Sequence, residues 1–443
     1  MKKHSSLQKS STYNTLNDWI EHESIPISLD SSEEFNKSID KVITSISDSV
    51  ELLGLGEALH GGEEILILRN QLFKHLVEAH GYSAIAIESS FPKAHLVNDY
   101  INGHGTTSYE DVQDTGFSHG FGKVDANREL VEWMREYNAD PSHQTKLQFY
   151  GFDSPTEMTH SDSPREVLYF VLDYLTAVDN ARGKKYKERM DELIGQDSDW
   201  ENPDAMMDPT KSIGLSPSAT ALRIETENLI SELHIRRPGL VAKSDESRYL
   251  EALHYAIVAR QLLNYHATLA QKSEPGKRII DGLGIRDAVM ANNLEYIVLR
   301  ERYRGKVLAF AHNSHLKYRE AQWQLGIELL TWWPAGAHLK EILGPRYAVI
   351  GSTVGVSDAN GIGQPETGTL EEQLINSPGP VRFIPTHQGN GLPTPEIEAL
   401  PTRSGSTKNF SYFPLSSQSF TDFDWFVALD STTYSRGGPA LQQ

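Results

Sequence analysis

The stretch "LLGLGEALHGGEEILILRNQLFKHLVEAHGYSAIAIESSF", residues 52–91, decides the fold. Its first apolar run breaks at Gly-Glu-Ala-Leu-His and reads as a strand followed by a loop. Ile65, Leu68, Leu72 and Leu76 then share one helical stripe, and Gly81 suits the end of that helix. The segment "SAIAIES", residues 83–89, is short and almost wholly apolar, the mark of a strand buried on both faces. Strand, helix and strand within about forty residues make a βαβ unit, which implies a parallel pair.

The same pattern recurs outward from this unit. Upstream, Ile39, Val42, Ile43 and Ile46 are spaced as on a helix. Downstream, "NRELVEWMREYNAD" (127–140) and "IRDAVMANNLEYIVLRER" (285–302) are helical. "KLQFYGFD" (146–153), "KVLAFAHNSHL" (306–316), "RYAVIGSTVG" (346–355) and "FDWFVALD" (423–430) read as strands. The expected fold is α/β: a parallel or mixed central sheet flanked by helices, its strands scattered along the chain. Residues 161–275 interrupt it with three long helical patterns and a polar, Pro-containing loop at 196–219. The expected organisation is a flexible segment at 1–20, an α/β core from 21–160 and 276–443, and a helical insertion at 161–275 that serves as lid or cleft wall. Residues 354–412 are rich in Gly, Pro, Ser and Thr and predict long loops over the C-terminal edge of the strands. Loops of that length in a compact domain are commonly functional.

Composition bounds the function. The 443 residues carry a net charge of -19, from 41 basic and 60 acidic side chains, which argues against a nucleic-acid partner. No run approaches the ~18 apolar residues of a membrane span, and no apolar segment follows the lysines of "MKKHSSLQKSSTYN". A cytoplasmic protein with no membrane partner is the default expectation. Cysteine is absent, so thiol catalysis and thiolate metal sites are excluded. No H-E-x-x-H, P-loop or G-x-G-x-x-G motif occurs. A nucleophile elbow is not expected either, so the chain is read as having no serine or cysteine nucleophile.

Ligands of open α/β sheets bind beyond the carboxyl ends of the strands. Glu57 and His60, Glu88, Asp153, and His312 with His315 all fall at such ends. Imidazole beside carboxylate is what general-base chemistry needs: the carboxylate fixes the tautomer and raises the basicity, and the imidazole takes a proton from water. A single Glu or His after a strand is more often a cap or an ion-pair partner; the coincidence of several is what points to a site. Arg69 lies within the apolar run "ILILRNQLF", where a buried guanidinium needs a carboxylate such as Glu57 or Glu88. His75, His80, His95, His254 and His266 lack strand-end context and read as structural or exposed. The same histidines and carboxylates match divalent-metal ligands in type, so a resident metal stays open beside a cofactor-free site. A non-catalytic binding cleft stays open too.

These residues resemble the erythromycin esterase family. "GLGEALHGGEE" is similar to its Gly-Glu-x-x-His motif at Glu57 and His60, and Arg69 to its arginine. "AIAIESSF" resembles its second acidic motif at Glu88, "VEWMREYN" its Trp-Met-Arg helix at Trp133 and Arg135, "IRDAVMANNLEYI" its Arg-Asp-x-x-Met-Ala-x-Asn helix, and "AFAHNSHL" its paired histidines. The resemblance implies a deep cleft in which His60 activates water to open a small-molecule ester or lactone. It makes Glu88 a second essential group, with Glu57, Arg69, His312 and His315 shaping the site. It also implies macrolides as one substrate class and no firmly established metal. Trp133 and Asp153 are expected near the substrate. The chain departs from the pattern at "GFSHGFGKVDANREL" (116–130), where a glycine-rich segment carries His119 and Phe121. That segment is expected to line the cleft and alter the substrate.

Overall fold

The structure is a computed structural model that describes residues 12–157 and 160–440. Eight strands form the central sheet: β1 (Ile25–Ile27), β2 (Leu52–Glu57), β3 (Tyr82–Ser90), β4 (Gln148–Asp153), β5 (Lys306–His312), β6 (Tyr347–Val356), β7 (Val381–Pro385) and β8 (Trp425–Ser431). Their spatial order is β1-β7-β8-β6-β2-β5-β3-β4. The six strands from β8 to β4 are parallel, while β7 is antiparallel to both β8 and β1. The sheet is therefore mixed at one edge. β1 and β7 escape the sequence reading because three residues, and five residues containing Arg382 and Pro385, carry no strand pattern of their own.

Every residue of β2 and β3 is buried, as expected for strands covered on both faces. The two faces differ in grain. Ala84, Ala86, Ala309, Ala311 and Ala428 point one way, and the helix Pro275–Glu301 packs there through Met290, Leu294 and Ile297. Leu53, Leu55, Ile85, Ile87, Leu308 and Phe310 point the other way, against the helices Glu63–Ala79 and Asp125–Ala139. Each such large side chain contributes about 1.5–3 kcal/mol by its burial.

Between residues 161 and 275 four long helices, Arg165–Val178, Asn180–Ile194, Pro217–Lys243 and Glu246–Leu269, share one core with the alanine face of the sheet. Of the segment 1–20, residues 1–11 lie outside the described residues. The remainder is not loose: the helix Leu16–Glu23 starts on a Thr15 capping box and buries Leu16, Trp19 and Ile20. Beyond β5 an antiparallel ribbon, Ala321–Leu325 with Glu328–Trp332, turns at Gly326 and overhangs the C-terminal edge of the sheet. No helix among the described residues is long and apolar enough to cross a membrane.

Candidate active site

The four strands that end in candidate residues are neighbours: β2, β5, β3, β4. Glu57, last in β2, stands in register with His312, last in β5. The parallel sheet thus gathers groups more than two hundred residues apart in sequence onto one edge. A side chain at position 56 would obstruct this. A Cβ there would lie 2.3 Å from Asn313 Oδ1, and glycine lets Asn313 cross β2 to bond both backbone groups of Ser352.

Glu57 accepts a hydrogen bond from His60 Nδ1 at 2.7 Å, which fixes the tautomer with Nε2 available. His60 Nε2 lies 3.9 Å from Glu88 Oε1. The backbone of the turn is held from outside: His60 N–H donates to Ser411 Oγ, and Asn409 Nδ2 donates to His60 carbonyl. Both come from the long-loop region over the sheet edge. Gly61 follows at φ +85, and a Cβ there would strike the Tyr434 ring. Burial works against protonating His60, but Glu88 and Glu57 outweigh it and raise its pKa above the ordinary value. Burial raises the Glu57 carboxyl too, with His60 opposing. Glu57 Oε2 is buried without a hydrogen-bond partner among the described residues.

Glu88 is the hub. Its Oε1 accepts from Arg286 Nη2 at 2.9 Å and lies 3.3 Å from His315 Nε2, and its Oε2 accepts from the backbone N–H of His312 at 2.8 Å. Burial alone would raise its pKa; His315, His60 and Arg286 hold it well below the usual carboxylate range. Arg286 forks onto Asp153 through Nε at 2.9 Å and Nη2 at 2.6 Å. His315 Nδ1 bonds Asp287 at 2.8 Å, and Asp287 also accepts from Trp332 Nε1 and the backbone of Ala335. Against desolvation, Asp287 and Glu88 push His315 up to about 10, so it is an imidazolium at neutral pH. His312 is the opposite case. Its Nε2 donates to the carbonyls of Ala58 and Ser411, and burial brings it down to about 3.

A cavity of about 610 Å³ opens over these groups. Its floor holds Glu57, His60, Arg69 and Glu88; its walls are mostly apolar, with Phe121, Trp323, Leu325, Phe410 and Tyr434, interrupted by polar side chains such as Gln324, Lys408 and Asn409. Arg69 is buried and, among the described residues, makes no ion pair within 4 Å; the charge of Glu57, one of the two expected partners, still favours its charged form. Its guanidinium donates to Asn70 Oδ1 and lies 4.8 Å over the Phe310 ring. Desolvation lowers it to about 10.

Several expectations need correction. His312 and His315 do not line the cavity: His312 bonds Ser314 and backbone carbonyls, and His315 lies between Asp287 and Glu88. Trp133 lies away from the cavity, edge-on to Phe73 under Lys74. Asp153 serves as the anchor of Arg286 and of His119, whose Nε2 is 3.1 Å away. Of the glycine-rich segment, Phe121 lines the cavity and His119 does not. Sequence reading assigned no role to Arg286 and Asp287. The signal available was the resemblance of "IRDAVMANNLEYI" to the family's Arg-Asp helix; burial alone would not have singled them out, because Arg278, Asn293 and Glu301 on the same helix are buried too.

One stretch carries the spelling of a nucleophile elbow. Gly116-Phe117-Ser118-His119-Gly120 spells G-x-S-x-G. Ser118 follows a helical turn rather than a strand, is buried, and spends its hydroxyl on Ser90 N–H at 2.9 Å. It does not line the cavity. The spelling lacks the strand-turn-helix context that would expose a nucleophile.

The sequence profile of the erythromycin esterase family matches residues 77–432. The chain belongs to the erythromycin esterase family. The match begins downstream of the turn that carries Glu57 and His60. Among curated proteins, the chain is 23% identical over 348 residues to "Erythromycin esterase type II" of Escherichia coli, covering 76% of each chain. It is also 23% identical to "Putative hydrolase YbfO" of Bacillus subtilis over 382 residues, covering 83% of this chain and 80% of that one. A Bacillus cereus protein of known structure superposes with a TM-score of 0.73 at 18% identity, covering 96% of this chain and all of the other. An erythromycin esterase EreC mutant in its open conformation gives 0.65 at 18% identity, covering 93% and 98%. These likenesses carry the fold: an α/β erythromycin esterase core. Family membership supports esterase-type hydrolysis as the class of chemistry.

Proposed function

We propose that this protein hydrolyses a small-molecule ester or lactone with a water deprotonated by His60. The observation that carries this reading is His60 held between two buried carboxylates at the floor of a mostly apolar cavity. Two atoms 3.9 Å apart can share one water at about 2.8 Å from each, so His60 Nε2 and Glu88 can grip the nucleophile together. Glu57 orients the imidazole and balances the positive charge that forms on it. Arg69, a cation on the cavity floor that makes no ion pair within 4 Å among the described residues, then meets the oxyanion that develops on the substrate carbonyl. Asp153, Arg286, Asp287 and the 312/315 histidines fix Glu88 and keep it ionised. No nucleophilic serine and no cofactor enters the scheme. The names of the curated relatives make macrolides the first lactones to try. The mainly apolar walls suit a bulky, mostly hydrocarbon substrate.

The test is a panel of macrolides, simpler lactones and esters read by mass spectrometry, where ring opening adds the mass of one water. Activity should survive exhaustive chelation and disappear in His60→Ala. A wild-type protein that opens nothing in the panel removes the hydrolase reading. Activity that dies on chelation and returns with one divalent ion replaces His60 as base with metal-assisted hydrolysis.

A further inference from the structure

A second cluster of polar side chains lies at the opposite edge of the sheet. Asp40 comes from the helix Ser32–Ser45, His75 from the helix Glu63–Ala79, and His80 caps that second helix before β3 begins. Nε2 of His75 and Nε2 of His80 both point at the same oxygen, Asp40 Oδ1, at 2.7 and 2.8 Å. The two rings stand edge to face, 5.2 Å apart. Among the described residues this is the group of three whose donor atoms all lie within 4.8 Å of one another. His75 is buried, Asp40 is half exposed and His80 partly so, which leaves an approach from solvent.

We propose that Asp40, His75 and His80 form a zinc-class cation site that latches the helix Ser32–Ser45 to the start of β3. Two imidazole nitrogens and one carboxylate oxygen are the donors zinc and its neighbours take; magnesium and calcium want oxygen throughout. The convergence on one point supplies the geometry. The exposed Asp40 can swing to admit an ion between itself and the rings, and solvent completes the coordination. Binding through both Nε2 atoms puts each imidazole proton on Nδ1. In His75 that atom is buried without a hydrogen-bond partner among the described residues. An unsupported ligand of this kind weakens a site by about 10–100-fold, so the latch is a micromolar site rather than a permanent structural one. It lies roughly 26 Å along β3 from Glu88, so it acts on stability and not on the chemistry at the cavity.

The experiment uses the full chain stripped with EDTA and titrated with zinc chloride, read by calorimetry and by thermal melting. Wild type and His60→Ala should each bind one equivalent, with a melting temperature raised by about 2 °C and restored by EDTA. Asp40→Asn and His80→Gln, both at partly exposed positions, should lose at least about tenfold in affinity. Magnesium should give no shift. Zinc binding that is absent in wild type overturns the proposal, as does binding unchanged in both latch variants. Binding lost only in His60→Ala also overturns it, by placing the ion in the cleft.

Discussion

Two short turns leave neighbouring strands at the same level of the sheet. One runs from Glu57 to His60 after β2, the other from His312 to His315 after β5, and their first residues are paired in register. Both put an imidazole at the carboxyl edge, yet the imidazoles behave in opposite ways. His60 has one carboxylate in hydrogen-bond range, a second at 3.9 Å, and a third of its side chain exposed. His315 has carboxylates at both nitrogens and is 6% exposed; it stays charged. His312 donates to carbonyls and stays neutral. A strand end delivers a residue to the site. The partners that remain unfilled there decide whether it can change protonation during a reaction.

Mutating the two turns should expose this difference. His60→Ala should cut kcat by about 10²–10⁴ and cost only about 1–3 kcal/mol of stability, because the lost side chain is partly exposed and leaves one buried carboxylate, Glu57, without its hydrogen bond. A full-rate variant would break the distinction at its base. Arg286→Met should do the reverse of a clean catalytic loss. It strips Glu88 and Asp153 of a shared buried partner and should cost about 3–5 kcal/mol in urea unfolding. Stability within 1 kcal/mol of wild type would mean that Glu88 is not held through Arg286. His315 sharpens the same point through pH. Its folded pKa lies far above the unfolded value, so its stabilisation is complete below about pH 6.5 and drains as pH rises through about 10. The melting temperature of wild type should therefore fall more steeply from pH 7 to 10 than that of His315→Gln.

The sequence shows the two turns but not the difference between them. The βαβ unit and the strand ends at residues 57, 88, 153 and 312 are legible because buried parallel strands are apolar runs, and a polar residue that ends one stands out. The direct pairing of that unit's two strands is not borne out, since β5 inserts between β2 and β3. Arg286 and Asp287 make the difference, and they sit on a helix. Its partners on β3 and β4 precede it by more than 130 residues, and no local pattern carries that distance. Arg69 shows the limit from the other side. Burial of an arginine predicts a carboxylate, and the fold supplies Glu57 only at longer range while Asn70 and the face of Phe310 make the direct contacts. The spelling at 116–120 teaches the same caution, since its serine is locked under Ser90.

The smallest expected effect is the most diagnostic of the comparison. As general base His60 must be neutral, so kcat/KM should rise with pH and level off once the imidazole has lost its proton. Glu88 and Glu57 favour the charged form and overcome burial, so the midpoint of this limb should lie above the ordinary 6.5. Glu57→Gln removes one of those charges but keeps a hydrogen-bond acceptor for Nδ1. It should move the limb toward lower pH while lowering the plateau. Glu88→Gln should move it in the same direction, whereas His312→Asn should leave it in place, because His312 is uncharged across the whole range. An acid limb at or below 6.5 in wild type, or one that follows His312 rather than Glu57, would assign the titrating group to the other turn.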